Sequence, residues 1–212
     1  MRAWAFKYLM KVEVPSRPFF DDGKAVHKAM EDYIKEGKPI AVSTKIGKMA
    51  AALEPYVRQW VKSPHAIVEE TFRLLGRHEW IGYKDLEVPG QVNDYKTTKD
   101  LCWAMTPDQL MTDPQALLYA EHYFRRYGGE TVEVRWLYVE KKKPFRTLPV
   151  CVTMTRAHAA LGFLALENVA DRADALTAVT DEAILALTPN FKHCDAYGGC
   201  PFRTKCGRYF ND

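Results

Sequence analysis

The chain lacks any apolar run approaching the roughly 18 residues that a membrane-spanning helix needs. Its first residues, MRAWAFKYLMKVEVPSR, are basic and aromatic, without the uninterrupted apolar segment of a signal peptide. Together these absences predict a soluble, cytoplasmic protein with no membrane partner. Thiols stay reduced in that compartment, so the five cysteines are expected free or metal-bound, not disulfide-paired. No internal repeat, low-complexity tract or Pro/Gly/Ser linker interrupts the 212 residues, a length that suits one domain. Net charge is also scarce. At +3 it neither demands nor excludes a nucleic-acid partner.

What is present is core material, 47% hydrophobic, in a changing period. Asp22 can cap a helix over 23–36, ended by Gly37, and a second helix is expected over 45–61. The period then shortens to that of strands at 69–75, 78–88 and 91–97, with Gly76-Arg77 and Pro89-Gly90 between them. Thr106…Gln109 and Thr112…Gln115 both match the capping box that opens a helix. The stronger helix is expected over 114–127, stopped by Gly128-Gly129. Strands at 131–139 and 149–155 and helix over 156–187 complete the order. The pattern is mixed α/β.

The stretch GYKDLEVPGQVNDYKTTKD carries the chemistry. Counting outward from Pro89-Gly90 sets Asp85 directly across from Asp94, with Lys96 two residues further on the same face. Facing carboxylates repel unless a cation offsets them, and Mg²⁺ or Mn²⁺ prefers oxygen ligands. A one-residue slip in register would send the pair to opposite faces. Glu69 and Glu70 read as exposed strand-end charges, and Arg125-Arg126 as surface charges.

These residues resemble the PD-(D/E)XK nuclease superfamily, in particular RecB-like nuclease domains and CRISPR-associated adaptation exonucleases. The resemblance runs from WAFKYLMKVEVPSRPFFDDGKAVHKAMEDY through the hairpin and DPQALLYAEHY to CDAYGGCPFRTKC. It implies a restriction-endonuclease-like core, a mixed central sheet flanked by helices with a Cys-containing tail. It also implies that Asp85 and Asp94 bind metal, that the Tyr95 carbonyl and His27 complete the shell, and that Lys96 orients the attacking water. Gln115 and Tyr119, four apart on one helix face, would position DNA. Lys84 stands where the family name has proline. The implied activity is metal-dependent hydrolysis of DNA phosphodiesters, as an exonuclease on ends or single strands, with repair, phage replication and CRISPR adaptation all open. The chain has neither P-loop nor helicase motif, so unwinding would fall to a helicase or other DNA-processing partner. The rival readings are a nuclease-fold protein that binds DNA or a partner without cutting, and a zinc-stabilised interaction module.

In the tail, Cys194, Cys200 and Cys206 follow one another with five intervening residues each time. Thiolates so grouped suit zinc or an iron–sulfur cluster. Relatives implied by the resemblance hold a [4Fe–4S] cluster with three such cysteines and one near the N-terminus. No cysteine precedes Arg2 here. Truncation, substitution by His193, Cys102 or Cys151, zinc in its place, or no cofactor at all remain the alternatives. Cys102 and Cys151 otherwise read as small buried residues. The N-terminal segment (1–20) and the tail (189–212) are expected to pack together if the cluster forms.

Overall fold

A computed structural model describes residues 2–14, 21–187 and 199–206. Its elements are α1 (Arg2–Tyr8), α2 (Asp21–Glu36), α3 (Lys45–Leu53), β1 (Ile67–Leu75), β2 (Glu79–Val88), β3 (Gln91–Thr98), α4 (Pro107–Met111), α5 (Pro114–Tyr127), β4 (Thr131–Glu140), β5 (Thr147–Thr155), α6 (Arg156–Ala175), α7 (Asp181–Ala186) and α8 (Arg203–Cys206). Among the described residues, no helix is long and apolar enough to cross a membrane. The expected helix over 45–61 ends early. After Leu53 the chain tightens into two 3₁₀ turns, Glu54–Tyr56 and Arg58–Trp60, the first with Pro55 at its start. Asp22 lies inside α2 and pairs with Lys45 at 2.7 Å, so it is not the cap.

The chain divides into two compact units, Pro18–Glu167 and Met1–Arg17 with Asn168–Asp212. The larger unit holds the five-stranded sheet, in the order β1-β2-β3-β4-β5. Pairing is antiparallel except between β3 and β4, which run parallel because α4 and α5 carry the chain across. Helices cover both faces. Met30, Ile34, Met49 and Leu53 from α2 and α3 meet Leu86, Tyr95 and Leu137 on one side. Tyr119, Tyr123 and Phe163 from α5 and α6 meet Phe72, Val92 and Trp136 on the other.

One break in this layering builds the site. Val68 faces α2 and α3, yet Phe72 and Leu74, which simple alternation would keep beside it, face α5. Glu69 is responsible. Its φ of +52° turns the chain over, and the β1/β2 ladder skips from Val68↔Leu86 to Glu70↔Lys84. A bulky residue rarely adopts that backbone, so it persists only where surrounding contacts fix it.

In the smaller unit, Ala5 and Phe6 of α1 pack with Ile184 of α7 and with Phe202, the two phenylalanine rings 5.6 Å apart. Cys200 and Cys206 border this cluster, whereas Cys194 lies outside the described residues. Cys102 and Cys151 are exposed, not buried as their small size suggested.

Candidate metal and phosphate site

The site occupies the fork where β2 and β3 part. Their ladder holds the expected register through Val88↔Gln91, Glu87↔Val92 and Leu86↔Asn93, and ends there. β3 instead pairs with β4 along its whole length, and β2 with β1. Asp85 and Asp94 are therefore not a backbone pair. The Asp85 carboxylate enters the gap, and Oδ2 accepts the Tyr95 N–H at 2.6 Å, replacing the missing ladder bond. The residue directly opposite Asp85 in register is Glu69, exposed as its sequence predicts but inside β1, not at its end.

α2 brings His27 over this gap. The helix starts close to β3, since a Cβ on Gly23 would lie 3.3 Å from Thr97 Oγ1. His27 Nδ1 lies 3.1 Å from Asp85 Oδ1, and Nε2 is 2.7 Å from the Tyr95 carbonyl. Both partners only accept, so both ring nitrogens donate and the ring is an imidazolium. Burial works against that charge. The hydrogen bond and negative charge of Asp85, helped by Asp94 and the Tyr95 carbonyl, outweigh it and raise the His27 pKa to about 9. The ligand atoms of His27, Glu69 and Asp85 lie within 4.8 Å of one another. Burial, then the charge of Asp85, pushes the Glu69 carboxyl up.

Asp94 is held from the other helix layer. Gln115 Nε2 donates to Asp94 Oδ1 at 2.7 Å, while Gln115 Oε1 accepts from Lys96 Nζ at 2.8 Å. Lys96 Nζ also sits 2.6 Å from Asp94 Oδ2 and 5.1 Å from the Trp136 ring centroid. Gln115 is free for this because Asp113, not Thr112, caps α5, accepting the Ala116 N–H at 3.0 Å. Of the two expected capping boxes only Thr106/Gln109 forms. The Tyr119 hydroxyl accepts from Gln115 at 2.5 Å and donates to the Tyr83 carbonyl, with Asp94 Oδ1 at 3.3 Å. At 2% exposure Tyr119 cannot touch DNA. It and Gln115 hold Asp94, and Gln115 also holds Lys96. Burial therefore removes Tyr119, but not the half-buried Gln115, from the expected DNA-positioning pair.

The two halves share one field. Burial, then the charge of Asp85, raises the Asp94 pKa to about 6, against the pull of Lys96 and His27. Burial resists the Lys96 charge, but Asp94 more than compensates and its pKa rises. His27 and Lys96 each keep 30% of their side chains exposed, whereas Asp85 and Asp94 are nearly covered. The donor set fits Mg²⁺ or Mn²⁺, with carboxylate and carbonyl oxygens plus one imidazole. The imidazolium supplies the positive charge those acids require.

No family model and no curated protein matches the chain. Among solved structures, the crystal structure of SSO0001 is similar at 14% identity and a TM-score of 0.33, over 97% of this chain and 94% of that one. A likeness of that size carries no argument about fold family or function.

Proposed function

We propose that the fork binds a divalent cation and hydrolyses DNA phosphodiesters, and that the chain is a RecB-like member of the PD-(D/E)XK nuclease superfamily with a restriction-endonuclease-like core. The observation that carries this reading is the convergence of His27, Glu69, Asp85 and the Tyr95 carbonyl beside an Asp94–Lys96 pair. A mixed sheet with helices on both faces is compatible with that core.

Asp85, Glu69, His27 and the Tyr95 carbonyl would hold Mg²⁺ or Mn²⁺, with Asp94 beside them. When bound, the ion acidifies a water and offsets charge on the phosphate. The remaining work falls to the chain. Lys96 stays protonated and presents an ammonium, fixed by Asp94 and Gln115, to the negative charge that grows on the phosphate oxygens. Tyr119 and Gln115 keep Asp94 from rotating away. His27 must give up a proton before it can ligate. Plasmid degradation in Mg²⁺ or Mn²⁺ tests the reading. Wild type should degrade the DNA and Asp94→Ala should not; negligible cleavage by both sinks catalysis and favours a DNA- or partner-binding module.

A further inference from the structure

The sheet face that carries Asp85 and Glu69 continues beyond them. Asp85, Tyr83 and Ile81 alternate along β2 and share one side. Their neighbours confirm it. Lys84 reaches His122 on the opposite side, and a Cβ on Gly82 would strike the Phe72 ring there. On β1, Thr71 and Arg73 stand in register opposite Tyr83 and Ile81. The far side of these strands is packed by α5 and α6. The near side is open, with Tyr83 66% and Ile81 50% exposed.

Tyr83 lies two residues, about 6.7 Å of strand rise, from Asp85. Its backbone is tied to the site, because its carbonyl accepts the Tyr119 hydroxyl that also borders Asp94. A nucleic-acid strand with a phosphate in the fork must continue over some surface beside it. This one offers an aromatic ring, a branched aliphatic and a guanidinium. The Arg73–Glu79 ion pair and Thr71 break its apolar character, which suits a strand of bases better than a protein's continuous apolar patch.

We propose that this β1–β2 face is a platform for unpaired nucleobases, with the Tyr83 ring stacking on a base next to the phosphate in the fork, a proposal that rests on the nuclease reading. Paired bases bury their ring faces against neighbours in the duplex. The platform therefore favours single strands, and stacking of this kind is tolerant of sequence.

Cleavage of a single-stranded and a blunt duplex oligonucleotide in Mn²⁺ tests it, with wild type, Tyr83→Ala and Tyr83→Phe. Loss of one base–aromatic stack should raise the single-strand KM of Tyr83→Ala about tenfold. The duplex KM should be unmoved, and Tyr83→Phe should restore the single-strand value because the ring remains. Equal single-strand KM for wild type and Tyr83→Ala overturns the platform while leaving the nuclease reading intact. If wild type cleaves neither substrate, the nuclease reading fails, and fluorescence anisotropy of a labelled oligothymidylate decides the platform alone. Weaker binding by Tyr83→Ala than by Tyr83→Phe supports it; no binding, or equal binding, overturns it. A wild-type dimer in sedimentation that Tyr83→Ala dissolves would also overturn it, assigning the face to a second copy.

Discussion

Two groups of two carboxylates and a histidine lie on opposite faces of the same two strands. His27, Glu69 and Asp85 form one; Glu70, Glu87 and His122 form the other. In the second, the protein supplies its own cations. Lys84, wholly buried, lies 2.9 Å from Glu70 and 3.0 Å from His122 Nδ1, and also bonds Glu87. Arg126 bonds Glu70 and reaches Glu87 at 3.0 Å, and Tyr127 donates to Glu87 at 2.8 Å. Burial and the charges of Lys84 and Arg126 drive the His122 pKa down to about 4, leaving that ring neutral. In the fork the opposite holds. Acids outnumber fixed cations there, and His27 is pushed up to about 9 to fill the deficit. The same ligand types mark a cation site only where internal ammonium and guanidinium groups have not already closed it.

The largest expected break is at the fork. Asp85→Ala should lower the proposed DNA cleavage roughly a thousandfold, since it removes a proposed ligand for the cation and the group holding the Tyr95 N–H. The matching change in the closed cluster, His122→Ala, should leave cleavage within a fewfold.

Next comes Lys84→Met, which leaves Glu70 and Glu87 with Arg126 as their cation and Tyr127 as the neutral donor to Glu87. Breaking a buried ionic network from one side costs about 3–5 kcal/mol, to be read from urea unfolding. Lys84 flanks Asp85, so cleavage should also fall. A variant as stable as wild type would show that the network is not what holds β2.

A smaller effect is expected from Glu69→Gln, which keeps shape but removes one charge. Mn²⁺ affinity, measured by isothermal titration, should drop by roughly 10- to 100-fold. An unchanged affinity would return Glu69 to a solvated strand end.

The mildest prediction concerns pH. Below about 9 the His27 ring carries a proton that must leave before it can ligate, so binding releases protons and affinity rises with pH. The rise should approach tenfold per unit between pH 7 and 9 and level off above, one proton per ion. His27→Asn should flatten it.

Much of this contrast was legible in the sequence, and the reasons differ residue by residue. Strand alternation is local, so it puts Asp94 and Lys96 on one face of β3, where they pair, whereas His27, on a helix, is reached only through the resemblance. The turn at Pro89-Gly90 fixed three ladder pairs correctly. It could not show that β3 would follow β4 and leave the ladder before Asp85, a competition decided by non-local pairing. Glu69 is exposed as expected, but its place beside Asp85 was not legible because nothing in an Ile-Val-Glu-Glu run announces a positive φ. Arg126 stays exposed, as its sequence suggests, but its ion pair with Glu70 spans 56 residues, and the burial of Lys84 against His122, 38 residues away, is equally non-local. The link from Gln115 to Asp94 and Lys96 is not legible, because the α5 cap falls on Asp113 in a choice between two good caps one residue apart.

Mn²⁺ titration followed by the loss of its free-ion electron paramagnetic resonance signal tests the central claim most directly. The account predicts one site per chain that disappears in Asp85→Ala and survives in His122→Ala. No Mn²⁺ site in the wild-type protein, or one that persists without Asp85, would contradict it.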